Sequence, residues 1–223
     1  MEEIRSGSLA DIVFDKLESD ILSGKLPEGE TLTEIRLSNE LNVSRTPVRE
    51  ALRRLEQEKL IRESGKGAVV LGISVGDLKD IYEIRSRIEG LAAYRCATLA
   101  TDAELAELAE IVDLQEFYTM KSNPDSMSST DTDFHKRIYE MCGSEILSSM
   151  LSELHKKVQR YRKLSFESGS RAAAAQKEHR MILGALMNRD PELAERLSVE
   201  HILNAEKNIL NSLAAADCAS DKH

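Results

Sequence analysis

Tryptophan is absent from this 223-residue chain, and four phenylalanines and five tyrosines supply all the aromatic surface. Any core must therefore be filled by aliphatic side chains, and the Leu, Ala, Glu, Lys and Arg that dominate the later two thirds are the composition of helices. Cysteine is scarce. Cys96, Cys142 and Cys218 are far apart, odd in number and in no C-x-x-C arrangement, which excludes a disulfide scaffold and reads as reduced thiols in a cytosolic protein. No apolar run approaches the roughly 20 residues needed to span a bilayer, and no signal-peptide pattern precedes the first helical stretch. The expectation is a soluble, cytoplasmic chain with no membrane partner. Positive charge is not in excess either: the formal net charge is −9, and residues 1–72 hold 11 Lys and Arg against 14 Asp and Glu. That balance is the wrong sign for a protein that coats nucleic acid nonspecifically.

A local cationic patch is nevertheless present. The stretch from Asn42 to Leu60 reads NVSRTPVREALRRLEQEKL. Val48, Ala51, Leu52 and Leu55 recur at helical spacing as one apolar stripe, while Arg45, Arg49 and Arg53, four residues apart, line a separate face. Ser44 can cap this helix, and Pro47 sits in its first turn, where no intrahelical donor is lost. Upstream, residues 8–22 carry an amphipathic pattern (Leu9, Ile12, Val13, Leu17, Ile21) closed by Gly24, and residues 31–41 read as a short second helix ending at Asn42-Val43. Two short helices across such a turn are the helix-turn-helix pattern, whose second helix enters the major groove. Residues 60–63 and 68–71 are strand-like runs around Ser64-Gly65-Lys66-Gly67, a small hairpin or wing. A cationic helix face alone is most often just a solvated surface; its neighbours are what point to DNA. Salt-sensitive phosphate contacts then fall to Arg45, Arg49, Arg53 and Lys66, with two subunits paired on one site.

Residues 1–7 carry no pattern, and residues 72–76 read as a linker, which divides the chain into 1–72 and 73–223. Ser74 with Asp77 starts a helix over 75–99 whose apolar positions include Leu78, Ile81, Ile84, Ile88 and Leu91, and Thr101 with Glu104 starts another to about residue 120. Residues 121–129, with Asn-Pro and several serines, read as a loop. Further helices follow from about 130 to 143, from 144 to 166, from 171 to 187, and from Pro191, capped by Asp190, to about 213, with a break at 167–170 and a frayed end. The fold class is mainly α: an N-terminal winged helix-turn-helix followed by an antiparallel all-α bundle of about six helices.

Three histidines stand out in that bundle. Asp131 and His135 leave the same face of one helix, His179 is in register with Ile182, Leu183 and Leu186, and His201 with Leu193 and Leu197. A single histidine on an apolar stripe is usually a hydrogen-bonded core residue. Three of them with an aspartate, on three helices, fit the way bundles build metal sites from inward side chains. Asp133 points away from His135, and His155 and His223 have no such company.

The segments ILSGKLPEGETL, LSNELNVSRTPVREALRRLEQEKLI and GKGAVV resemble the winged-helix domain of the GntR family of bacterial transcription regulators. The resemblance implies that Arg45 and Arg49 contact operator bases or phosphates, that Ser44 and Thr46 contact phosphate, and that Gly67 approaches the minor groove. Ile35 departs from the pattern, since many relatives carry Arg there; Arg36 follows one residue later. Asp131-Thr-Asp-Phe-His135, Glu178-His179-Arg-Met-Ile182 and Glu200-His201 resemble the FCD domain of the FadR-type subgroup. That resemblance implies a divalent transition metal on Asp131, His135, His179 and His201, zinc first, with nickel, manganese or iron open. It further implies a small carboxylate effector docked at the metal, with Arg85 in a position similar to an arginine that clamps it. A salt bridge to Glu89 is the other reading of Arg85.

The expected protein is a homodimeric, ligand-responsive regulator on a pseudopalindromic double-stranded operator. Two alternatives stand beside it: a metal-dependent enzyme with an appended DNA-binding domain, and a regulator whose metal is purely structural. Against the enzyme, no H-E-x-x-H pattern and no nucleophile with a paired base is apparent.

Overall fold

The computed structural model describes residues 8–166 and 170–220, and the side chains of these apart from residues 160, 163, 164 and 216–220. The expectations for residues 1–7 and 167–169, for the Cys218 thiol and for His223 lie outside the described residues. Internal contacts divide the chain into two compact units, with the division between Ser74 and Val75.

The first unit runs α1 (Leu9–Leu22), β1 (Thr31–Leu32), α2 (Glu34–Leu41), α3 (Arg45–Gln57), β2 (Ile61–Ser64) and β3 (Gly67–Val70). Ser8 starts α1 through a capping box: its hydroxyl accepts from the Asp11 amide, and the Asp11 carboxylate accepts from the Ser8 amide. Val13, Phe14, Leu17 and Ile21 of α1 bury against the Val48, Ala51 and Leu55 stripe of α3. Arg54 fastens the same pair of helices, bonded to Asp11 at 2.6 Å and lying 4.0 Å above the Phe14 ring. Between α2 and α3 the chain turns at Asn42, whose φ of 51° is a left-handed conformation that asparagine tolerates.

Two local expectations are corrected here. The second helix begins at Glu34, not at residue 31, because the Thr33 hydroxyl caps it by accepting from the Arg36 amide. Thr31 and Leu32 instead pair antiparallel with Val69 and Ala68, giving a three-stranded sheet of order β1-β3-β2. Ser44 does occupy the N-cap position of α3, but its side chain makes no cap bond.

The third strand gives Gly67 a structural duty. Its φ is 134°, and a Cβ there would stand 2.4 Å from the Leu32 carbonyl oxygen. Only glycine lets the wing close on β1. Gly67→Ala is expected to cost roughly 1–3 kcal/mol of stability in urea unfolding; an unchanged midpoint would show that the wing does not need this approach.

The second unit contains α4 (Val75–Leu99), α5 (Asp102–Met120), α6 (Pro124–Met141), α7 (Glu145–Phe166), α8 (Ser170–Met187) and α9 (Pro191–Ser220). Most of the expected loop over 121–129 is helix. Asn123 caps α6 by accepting from the Ser126 amide and Pro124 is its first residue, so the Asn-Pro pair is a helix start, a role open to it as much as a break. The last helix continues to Ser220, seven residues past the expected end. On α4, Leu78 and Ile81 are buried, whereas Ile84 and Leu91 are 45% and 46% exposed; the inward stripe is narrower than the sequence pattern. α4 lies close along α9 at Gly90, where a Cβ would meet Val199 Cγ2 at 2.7 Å. The core gathers Ala93, Leu108, Val112, Phe134, Ile138 and Leu151 among others, and Cys96 and Cys142 are buried in it as free thiols. No helix among the described residues is long and apolar enough to cross a membrane.

Candidate functional site

The bundle packs His135 of α6, His179 of α8 and His201 of α9 together at its centre, 3%, 0% and 4% exposed. Each ring is held from behind. His135 Nδ1 faces Glu89 Oε2 at 3.0 Å, His201 Nδ1 faces Glu178 Oε2 at 2.6 Å, and His179 Nδ1 faces Gln115 Oε1 at 2.9 Å. The Gln115 amide is oriented by its own Nε2, which donates to the Thr130 carbonyl at 2.9 Å, so the atom facing His179 is the carbonyl oxygen. All three partners are acceptors. The network thus assigns a proton to every Nδ1, and a lone pair to every Nε2.

Those lone pairs face one another. His179 Nε2 and His201 Nε2 are 3.2 Å apart, and His201 Nε2 and His135 Nε2 3.3 Å. Three acceptors at such separation repel unless a cation lies between them. A proton is a poor candidate: burial, then His201 and His135, push His179 well below the usual histidine range. Burial also takes His201 down to about 4, although Glu178 opposes it. Three imidazoles held by outer hydrogen bonds fit a divalent transition metal, whose ligating histidines characteristically donate their other ring N–H in this way.

Asp131 stands at the edge of the group. Its Oδ1 is 3.7 Å from His179 Nε2, and it is ion-paired with Arg162 of α7. It does not join the three histidines in the set whose ligand atoms all lie within 4.8 Å. Asp133 is exposed. His155, set aside on the sequence, is in fact buried beside the group: Tyr139 Oη is 3.2 Å from its Nδ1, and Arg162 reaches its Nε2. Its company comes from other turns and helices, which spacing along one helix does not reveal. Glu89, His135 and His155 form a second convergent set. It suits a cation less, because both His155 nitrogens are engaged and Glu89 is already shared with an arginine.

That arginine is Arg85. Its salt-bridge reading is the one observed: Nε and Nη2 donate to Glu89 Oε1 at 2.7 and 2.6 Å, while Nη1 has no hydrogen bond. Burial alone would raise the Glu89 carboxyl, but Arg85 and then His135 overcome it and hold Glu89 well below the usual carboxylate range. Two buried side-chain polar atoms beside the group lack a hydrogen bond, Tyr82 Oη and Arg85 Nη1, while Asp131 Oδ2 and Arg162 Nη2 face each other in their ion pair. Leaving a buried polar atom without a partner costs free energy. Tyr82, Gln115 and Arg162 were not expected from the sequence, and Glu89 was expected only as the salt-bridge partner of Arg85, not as the group behind His135. The voids beside Asp131 are about 10 Å³ each, too small for a ligand while Arg162 holds its present place.

In the first unit, Ser44, Arg45, Thr46, Arg49, Arg53 and Lys66 are all exposed, with Gly67 half-buried in the wing. A groove of about 420 Å³ between α3 and the wing is bordered by Glu34, Arg49, Arg53, Ser64 and Gly67. Arg36 is held by Glu30 at 2.6 Å and Glu40 at 2.8 Å, away from this set. Arg45 and Arg49 both bond to Glu34, yet their side chains remain 56% and 58% exposed.

Residues 80–204 match the FCD domain family, and residues 9–70 match the bacterial regulatory proteins of the gntR family. The chain belongs to the GntR family. It is a transcription regulator with a helix-turn-helix and an FCD domain, not an enzyme. Among its relatives, the HTH-type transcriptional repressor RspR of Escherichia coli K12 is 27% identical over 198 residues, 88% of this chain and 87% of that protein. The gluconate operon transcriptional repressor of Bacillus licheniformis is 32% identical over 123 residues, 55% of this chain and 51% of that protein. The solved structure of E. coli McbR/YncC shares the fold, with a TM-score of 0.77 at 23% identity over 93% of this chain and 99% of that one.

Proposed function

We propose that this GntR regulator is a cytoplasmic homodimer that reads a pseudopalindromic operator through Arg45, Arg49 and the wing, and senses a small carboxylate at a metal held in its helical unit. Three converging Nε2 lone pairs carry the metal assignment. His135, His179 and His201 would hold the ion and Asp131 would complete the set once Arg162 withdraws from it; zinc is the first choice for this donor set, with nickel, manganese and iron as competitors. The ion supplies a Lewis-acidic position for a carboxylate oxygen. Around it the chain's own donors Arg85 Nη1 and Tyr82 Oη lack a hydrogen bond, and they, with Arg162 once it leaves Asp131, suit the anion's remaining oxygens. Binding would move Arg162, opening the small voids beside Asp131. An acid controls DNA binding only to the extent that it prefers one arrangement of the dimer over the other.

Titrating zinc-loaded protein with acetate, lactate, malonate and citrate, while following melting temperature and operator release together, tests this reading. The expected result is one or more acids that raise the melting temperature and change operator affinity in the same concentration range. Acids that leave both unchanged would leave the metal with a structural role only.

A further inference from the structure

Glu34, the first residue of α2, joins the two principal arginines of α3. Its Oε2 accepts from Arg45 Nε and Nη2 at 3.0 and 2.7 Å and from Arg49 Nη2 at 3.0 Å, and its Oε1 accepts from Arg49 Nε at 2.7 Å. Each guanidinium is gripped along its Nε-Nη2 edge. The Nη1-Nη2 edge of each, the fork that pairs with guanine O6 and N7, is left free on a side chain more than half exposed. Hydrogen bonds from Arg49 and Arg45 take the Glu34 carboxyl down to about 2, so it is ionised wherever the duplex is stable. The three side chains together present one net positive charge, not two.

We propose that Glu34 is a specificity-determining residue of the DNA-reading face: it orients Arg45 and Arg49 edge-on toward bases and withholds one positive charge from any phosphate backbone. The proposal rests on the reading of those arginines as DNA contacts. Two physical effects act in the same direction. Pre-set side chains lose less rotamer freedom when they meet the correct bases. An arginine released from Glu34 would swing to the nearest phosphate, a contact that is blind to sequence and sensitive to salt. A carboxylate at the border of the groove between α3 and the wing also repels phosphates that approach out of register, and it can accept from a cytosine amino group.

The test uses full-length dimer, a duplex selected by the wild-type protein from a randomised library, and a scrambled duplex of equal length, from 50 to 200 mM salt. For Glu34→Gln, affinity for the scrambled duplex is expected to rise several-fold and affinity for the selected duplex to fall. Their ratio should drop by about tenfold or more, and the slope of log K against log salt on the scrambled duplex should steepen by about one phosphate contact. Glu34→Asp keeps the charge but shortens the reach, so it should bind the scrambled duplex like wild type and the selected duplex more weakly. The melting temperature should stay unchanged in both, since an exposed, solvent-screened ion pair contributes little to folding. An unchanged ratio and slope in Glu34→Gln overturns the proposal. Arg45→Ala and Arg49→Ala measured alongside separate the two levels: loss of selected-duplex binding in these, with no effect of Glu34→Gln, sinks the role of Glu34 alone. Retained binding in the arginine variants sinks the DNA contacts beneath it.

Discussion

Replacing Arg45 or Arg49 by alanine is expected to abolish specific operator binding while the winged unit keeps its fold. Both side chains lie outside the Val48, Ala51 and Leu55 stripe that α3 buries, so truncation opens no cavity. A good bidentate arginine contact to a base discriminates by about 1–3 kcal/mol, and a homodimer on a pseudopalindrome loses it twice. The operator constant then falls by roughly 30- to 3 × 10⁴-fold, set against the roughly 10³- to 10⁷-fold that separates specific from nonspecific binding. Footprinting should show protection replaced by diffuse, salt-sensitive binding, with the melting temperature unchanged. A normal footprint from either variant would contradict the assignment. Arg53 and Lys66, placed further along the same exposed surface, should instead weaken binding to all duplexes alike and flatten the salt slope by about one contact each.

The bonds from Arg45 and Arg49 to Glu34 bear on that expectation. An arginine buried against the protein's own acids would be unavailable to DNA. Here more than half of each side chain faces water, and Glu34 occupies one edge of each fork. That is orientation without occlusion, and it suits a chain whose N-terminal third carries more acid than base.

The two faces of α3 were legible because a 13-residue helix leaves a clear 3.6-residue period. β1 was not, since a two-residue strand is too short to leave any period, and Thr33 reads as interior helix until its hydroxyl is seen capping. The helix start at Asn123-Pro124 was missed because the same dipeptide serves as a breaker. In the bundle, the three histidines announced themselves through the apolar residues in register with them, a local signal. The groups that fix their protons did not: Glu89 comes from α4 and Gln115 from α5, brought in only by tertiary packing. Glu178 adjoins His179 in sequence yet serves His201. Arg162 went unnoticed and His155 was set aside for the same reason: their neighbours come from other helices.

Those outer groups sharpen the second large prediction, that Asp131→Ala combined with His179→Ala gives protein that purifies without stoichiometric metal and melts at lower temperature. A metal that binds only the folded form stabilises it by about 3–4 kcal/mol when present at a hundred to a thousand times its dissociation constant. For a chain of this length, about 2–4 °C per kcal/mol puts the loss at roughly 6–16 °C. His179 also stacks on Phe134 with ring centroids 3.9 Å apart, so its removal destabilises the core for a reason unrelated to metal. Chelated wild-type protein separates the two effects. Chelation alone should lower the melting temperature by the metal's share, the double variant should melt at or below that point, and added zinc should restore the first and leave the second unmoved. His155→Ala supplies the contrasting case. Its two nitrogens face Tyr139 and Arg162 and not the converging lone pairs, so this variant should retain full metal content by elemental analysis. Metal lost from His155→Ala and kept by the double variant would move the ion to the set formed by Glu89, His135 and His155. Unchanged metal in the double variant would refute the site built on His179 and Asp131.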